Sequence, residues 1–503
     1  MSIRRRLAPV LCLAVACAAV VQVGGWNERS HYAQARAFAA GTARIDRYAA
    51  LTGDRAAYHG HYYSDKAPGL ALLVAPVYSV SKATGGSSAD PLNDIHLLAI
   101  FGCVIPAALL LFLISGFVER LEPGLGVASA MLLGFGTLLL PFSTLFFSHV
   151  LSACLGFAAY YVLWLARRDR GDLLLIGCSG VLAGLAVSTE YPLAILAVLL
   201  ALHALGRPPQ IRRLLVYGAG GLIGLVPLLA YNLWAFGSLT HISYASVSAN
   251  HVGLFGLVSF SPGALVSLLL GSRGLLTLTP VLALGLAGIV LLFRDGRRGE
   301  ATMAAVVVLT YLAYNASYYL PYGGWVPGPR FLIPLIPFLA LPLAAVLRRL
   351  PVLTVSMGTL SVAMMAAATL TRPELPSNLP TSAWWQRLLD GQFPTPGAGG
   401  QILWFGVFAA AAVVLAARLT PRLAHGRAQL ALGGAGVLVW LAVALVSGTV
   451  DLHGDSVLAL VLALAVLGGF ALLGVGRTVS GRRGGRGGGG GERSGHDRAE
   501  PGE

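Results

Sequence analysis

Apolar runs of roughly 17–25 residues, the length that crosses a bilayer core as a helix, follow one another along almost the whole chain. They fall near 7–25, 94–118, 124–142, 148–166, 172–188, 190–206, 213–236, 275–293, 301–320, 329–347, 351–371, 401–418, 428–448 and 455–476. Lipid offers no hydrogen bonds, so each run must satisfy its own amides as a helix. Apolar residues make up 56% of the 503 and charged residues only 11%, against about 25% charged in a soluble domain. This excludes an ordinary soluble enzyme, a disordered chain and a nucleic-acid binder. The expected fold is an all-α polytopic membrane protein with about fourteen transmembrane helices.

The net charge of +14 is nearly all arginine, because lysine occurs only at Lys66 and Lys82. The arginines cluster in connectors: Arg167-Arg168-Asp169-Arg170, Arg207 to Arg213, Arg294 to Arg298, Arg348-Arg349 and Arg418 to Arg427. Counting crossings from a cytoplasmic amino terminus puts all of these connectors in the cytoplasm. It leaves 143–147, 237–274, 321–328, 372–400 and 449–454 outside with few basic residues, as the positive-inside rule requires. Both termini are then cytoplasmic. The run 67–82 is short and interrupted by Pro76, and counting it as a crossing would invert every later connector. It is therefore expected as a half-buried helix on the outer surface. Cys12, Cys17, Cys103, Cys154 and Cys178 all lie in apolar runs and read as packing residues. The Gly- and Arg-rich stretch 477–503 has almost nothing to bury and is expected to be a disordered cytoplasmic tail.

Ionisable groups at membrane depth are costly and mark function by default. Here they gather at the outer ends of the spans, at His149, Glu190, Arg273 and Arg330. The first outer loop adds Glu28, His31, Asp46, Asp54, His59, His61, Asp65 and Lys66. In the loop 319–330, glycines and prolines hold an irregular backbone, and Trp325 is a candidate platform for a sugar ring. Nucleotide donors are cytoplasmic, and no phosphate-cradling glycine loop is present. Chemistry on the outer face needs a substrate delivered through the lipid, and a polyprenyl-phosphate carrier meets that need. Lys66, just ahead of Pro68-Gly69 and a helix amino terminus, suits its phosphate. Arg330 offers a bidentate fork. Glycosyl transfer from such a donor needs one base for the acceptor hydroxyl. Glu28, Asp46, Asp54 and Asp65 are the candidates.

Four stretches carry a family resemblance. The first is Asn27-Glu28-Arg29-Ser30-His31-Tyr32-Ala33-Gln34-Ala35-Arg36, then Gly41 and Ile45-Asp46. The second is Gly60-His61-Tyr62-Tyr63-Ser64-Asp65-Lys66-Ala67-Pro68-Gly69-Leu70. The third is Phe147-Ser148-His149. The fourth is Gly323-Gly324-Trp325 with Gly328-Pro329-Arg330-Phe331-Leu332-Ile333-Pro334. Together they resemble bacterial membrane glycosyltransferases of the GT-C superfamily, the class that includes protein O-mannosyltransferases and lipid A aminoarabinose transferases. The likeness covers residues 1 to about 350, with no motif match beyond 372. It implies an inverting transferase of the bacterial cytoplasmic (inner) membrane, with an extracytoplasmic active site and juxtamembrane helices in the first loop. The donor would be a polyprenyl-phosphate sugar and the acceptor a cell-envelope glycan, lipid or protein. Lys66 and Arg330 would bind the donor phosphate. Asp65, Tyr63, His61, His149, Glu190 and Trp325 would bind substrate. No cofactor is required, and a divalent metal held by several loop acids is a further reading. Many members carry Asp where Asn27 stands, and an amide is no base. Either Glu28 takes the role or a later acid does, and the resemblance favours Asp46, then Asp54.

The chain then divides into a catalytic module over 1–236 that includes the first outer loop 26–93, helices over 237–371 that shape the carrier and acceptor sites, membrane helices over 372–476, and the tail. The loops 237–274 and 372–400, with His251 and Trp384-Trp385, are expected to cover the site and to help bind acceptor. The plainer readings are local: a solvated helix start for Glu28, turn or helix caps for Asp46 and Asp54, bonds to backbone amides at a helix amino terminus for Glu190, a local ion pair for Asp65 with Lys66, an interior hydrogen bond for His149, and interface anchoring for Arg330 and the aromatics. The rival classes are a transporter or lipid-linked-sugar flippase and a non-catalytic membrane scaffold. A transporter predicts charged or broken helices at the bilayer midplane.

Overall fold

The computed structural model describes residues 3–20, 22, 24–86, 91–168, 172–206, 209–247, 256–376, 379–392 and 427–448. The expected spans 401–418 and 455–476, the tail and His251 lie outside these residues. The described chain is almost entirely helical and multi-pass. Six helices are long and apolar enough to cross a bilayer: Pro91–Leu121, His149–Arg167, Gln210–Phe236, Arg330–Arg349, Pro351–Leu370 and Ala428–Val446. A seventh span results if Pro262–Leu278 and Val281–Arg294, which meet at a 96° bend, count as one.

The expected number of fourteen came from apolar length alone, and several of those runs are shorter or broken. The run 124–142 divides into Gly126–Gly136 and Leu139–Thr144 around the extended Thr137. The run 190–206 yields only Leu193–Ala204. The run 275–293 breaks at Thr279-Pro280, because proline has no amide to continue the ladder. The run from Arg330 begins as a tight 3-10 turn through Leu339, with Pro334 and Pro337 inside it.

Before the second long helix, the first loop folds as a compact unit. Helix α1 (Ile3–Ala18) leads to Gly25 and helix α2 (Trp26–Ala39). The Glu28 carboxylate reaches back to the Gly25 amide and so satisfies one of the orphan donors at the start of α2. Next come a 3-10 turn over Asp46–Leu51, strand β1 (Arg55–Tyr58), strand β2 (His61–Ser64) and helix α3 (Gly69–Ala83). Helix α3 is the run expected to lie half-buried. Leu70, Ala71, Val74 and Tyr78 are buried, while Leu72, Leu73 and Val80 are exposed. Its inner face joins Tyr32 of α2, Leu98 and Phe146 in a small core. Arg36 closes the far side of α2, stacked on the rings of Tyr32, Tyr48 and Tyr78.

Candidate active site

The hairpin sets the geometry. His59 and Gly60 both have positive φ, 49° and 78°, so the strands join through a two-residue turn whose twist matches theirs. That turn fixes the register at Tyr58 opposite His61 and Arg55 opposite Ser64. One step further out, Asp54 comes opposite Asp65. Ser30 Oγ of α2 donates to the Asp54 carbonyl at 2.6 Å and lies 2.8 Å from Ser64 Oγ, tying the open end of the hairpin to the helix. Lys66 follows Asp65 directly, and its buried Nζ donates to Asp54 Oδ2 at 2.8 Å and to Asp65 Oδ2 at 3.1 Å.

Two residues distant in sequence complete the cluster. With the Asn27 amide turned so that its oxygen faces the cations, that oxygen accepts from Lys66 Nζ at 3.0 Å and from Arg330 Nη1 at 3.1 Å. The Arg330 guanidinium lies over the rings of Phe147 and Phe331, 5.7 and 5.0 Å from their centroids. Its Nε is buried with no hydrogen-bond partner among the described residues. Gly323, at φ 80°, packs directly on it; a Cβ there would run into Arg330 Nε and Cδ. The Gly-Gly-Trp loop is thus a close-fitting collar for the arginine stem.

Electrostatics separates the acids. Burial pushes Asp54 up, but Lys66 and then Arg330 outweigh it and hold the carboxyl below its ordinary range. Burial leaves Asp65 raised despite Lys66. Burial also pushes Glu28 up to about 7, against the Gly25 and Phe146 amides that bond it. Glu28 has no neighbour of opposite charge in hydrogen-bonding contact among the described residues. Glu374 lies close by, its carboxyl so near Gly25 that a Cβ there would land on it. Burial, then the charge of Glu28, raises Glu374 to about 9. The segment carrying it, 371–376, is clamped by Arg273, whose guanidinium donates to the carbonyls of Leu375, Pro376 and Leu379.

A second polar group adjoins the first. His149 Nδ1 lies 3.3 Å from Glu190 Oε1. Ser148 Oγ donates to the same carboxylate and lies 3.4 Å from His31 Nε2. The His149 ring contacts Phe331, on which Arg330 also stacks. Burial and the Lys66 charge keep His31 well below the ordinary histidine range.

Of the residues singled out in the sequence, Asp54, Asp65, Lys66 and Arg330 converge, with Glu28, His149 and Glu190 around them. Others stand elsewhere. Asp46 accepts from the Tyr62 amide at 2.7 Å and lies 2.9 Å from His61 Nδ1, both at an exposed edge of the hairpin. Asp46 and His61 therefore brace the loop, and neither contacts Lys66 or Arg330. Tyr63 is buried against Phe236 beneath the hairpin. Trp325 is 58% exposed on the collar. Two contributors gave little signal. Asn27 showed only as a departure from the motif. Glu374 is an acid in Thr-Arg-Pro-Glu-Leu-Pro with nothing in the sequence to tie it to Gly25. Among the described residues, no three His, Cys, Asp or Glu side chains converge as metal ligands. Between Asp54 and Asp65 the resident cation is the Lys66 ammonium.

This architecture, a membrane helix bundle with a folded first loop, is similar in fold to the solved ArnT of Cupriavidus metallidurans bound to undecaprenyl phosphate, with a TM-score of 0.53 and 15% identity over 88% of this chain and 76% of that one. The apo form of that protein gives a TM-score of 0.49 at 14% identity. The apo Archaeoglobus fulgidus oligosaccharyltransferase gives 0.44 at 12%, over 80% of this chain and 59% of that one. No protein-family model matches the sequence, and no curated protein does either.

Proposed function

We propose that the protein is an inverting glycosyltransferase that moves a sugar from a polyprenyl-phosphate donor to an extracytoplasmic hydroxyl acceptor of the cell envelope. The observation that carries this reading is the cationic pair of buried Lys66 and half-buried Arg330, joined by the Asn27 oxygen and flanked by Asp54. A lone buried ammonium would need only one counter-ion; two cations side by side suit a phosphate. The likeness in fold to an ArnT bound to undecaprenyl phosphate supports a lipid-borne donor.

On this reading Lys66 and Arg330 bind the donor phosphate and stabilise the charge that builds on it as it leaves. The acceptor oxygen forms its bond to the anomeric carbon as the carbon–oxygen bond to phosphate breaks. That electron pair leaves with the phosphate, and the hydroxyl proton passes to a carboxylate. Asp54 is the acid best placed for it. It is partly open, with 30% side-chain exposure, and adjoins the cations. Glu28 is fully buried, and Asp46 stands apart. His149 and Glu190 adjoin the cluster and suit the sugar hydroxyls. The reading also carries the bacterial inner membrane, an extracytoplasmic site and cytoplasmic termini.

Purified protein reconstituted in lipid vesicles with radiolabelled polyprenyl-phosphate sugars and an envelope extract tests it. Label moving to the acceptor supports the transferase. Carrier flipping without transfer points to a flippase, and neither result points to a scaffold.

A further inference from the structure

Lys66 has three N–H donors, and all three are occupied. They go to Asp54 Oδ2 at 2.8 Å, Asp65 Oδ2 at 3.1 Å and the Asn27 amide oxygen at 3.0 Å. An ammonium has no fourth donor to offer. A lipid phosphate that binds Lys66 must therefore replace one of these three partners.

The partners are not equal. The Asp65 side chain is only 12% exposed. Its Oδ1 also lies 3.4 Å from Ser30 Oγ, and its carbonyl accepts from Ser243 Oγ at 2.9 Å. Asn27 is buried and bridges Lys66 to Arg330. Asp54 is the most open of the three, and Lys66 is the one hydrogen-bond donor to its carboxylate among the described residues. Its backbone is pinned separately by Ser30, so the side chain can swing away while the hairpin stays in place.

We propose that the donor phosphate displaces the Asp54 carboxylate from Lys66, and that this exchange frees Asp54 to act as base, so the donor binds before the acceptor is activated. This rests on the transferase reading above. In the free protein, Lys66 and Arg330 suppress the proton affinity of Asp54 more than burial raises it. Once a phosphate meets those cations, its negative charge faces Asp54 as well, and the carboxyl becomes a stronger base. The other ionisable groups facing Asp54 are His31 on α2, Asp65, Tyr319, Arg330 and Glu374. The exchange also gives the Lys66–Asp54 pair a function: it keeps the base inactive until a donor is present.

The test uses the full chain in micelles with undecaprenyl phosphate as probe. Calorimetry in two buffers of different ionisation heat at pH 5 reads both affinity and proton exchange. Glu28 and Glu374 already hold their protons there, with values of about 7 and about 9. The phosphate's own titration is common to both proteins, so the difference between wild type and Asp54→Asn reads Asp54 together with Asp65, whose carboxyl the Asp54 charge raises. Wild type should take up more protons on binding than the variant. Asp54→Asn should bind the lipid about tenfold more tightly, a typical coupling between competing sites, while losing transfer. A variant damaged in its fold would bind more weakly, the opposite sign. Equal proton uptake, or an Asp54→Asn affinity no higher than wild type, overturns the exchange. If wild type itself shows no saturable binding, or if Lys66→Ala binds as well as wild type, the phosphate-site reading fails as well.

Discussion

Two ionic clusters sit at opposite ends of the bundle, and they use similar residues differently. At the arginine-rich end, buried Glu122 pairs with Arg297 at 3.2 Å and Arg348 at 3.4 Å. Asp295 pairs with Arg348 at 3.5 Å and Arg349 at 2.6 Å. These pairs staple the ends of three helices together: Pro91–Leu121, Val281–Arg294 and Arg330–Arg349. Their arginines reach solvent, with 45% exposure at Arg348. At the first-loop end, Lys66 is 9% exposed and Arg330 is walled by aromatic rings. Exposed pairs are screened and worth little. Buried cations must have a partner at all times, so an exchange of partners there has large consequences. The first cluster therefore serves assembly, while the second is suited to binding an anion.

The contrast breaks most directly at the cations. Lys66→Ala and Arg330→Ala should each cut transfer by about 10²–10³-fold, the usual loss on removing a group that stabilises developing charge. Arg348→Ala should leave transfer within a few-fold. Transfer assays on variants matched by size-exclusion profile check this, and equal losses at both ends would erase the distinction. Next comes the choice between acids. Asp54→Asn should lose about 10²–10⁴-fold in transfer, as for loss of a general base, while Asp46→Asn keeps most activity. A full loss in Asp46→Asn with an active Asp54→Asn would reverse the ranking.

A smaller effect is expected at the collar. Gly323→Ala places a methyl on the Arg330 stem at a left-handed backbone position. It should destabilise by about 1–3 kcal/mol, read as a lowered unfolding temperature with weakened lipid binding. Glu374 gives a pH signature. Its folded value, raised to about 9, means that the folded protein keeps a proton the unfolded chain gives up in the ordinary carboxylate range. Stability from this group is full at acid pH and declines as pH climbs toward 9. Glu374→Gln should match wild type near pH 4 and flatten the decline above it, measured as thermal unfolding across that range. The smallest effect is at the arginine-rich end, where Arg348→Ala should cost about 0–1 kcal/mol, shrinking with added salt.

The membrane class, the helical fold, the half-buried α3 and the end of the molecule where polar groups gather were all legible in the sequence. Each depends on local apolar length, charge placement or helix sidedness, which a single stretch reveals. Lys66 and Arg330 were legible as a pair through their motifs. The choice among Asp46, Asp54 and Glu28 was not. Asp46 and Asp54 are eight residues apart in similar polar surroundings, and only the hairpin register turns one toward Lys66 and the other toward His61. The continuity of the spans was likewise not legible, because apolar length does not show where Pro280 or Thr137 breaks a helix.

The sequence by itself determined that this chain lives in a bilayer, because burying so much apolar surface leaves no other solvent. Tertiary structure decided which charges meet. Contacts among Asn27, Lys66 and Arg330, and the approach of Glu374 to Gly25, join segments far apart along the chain. Charge coupling falls with distance in space, and sequence separation carries no information about that distance until the helices have packed.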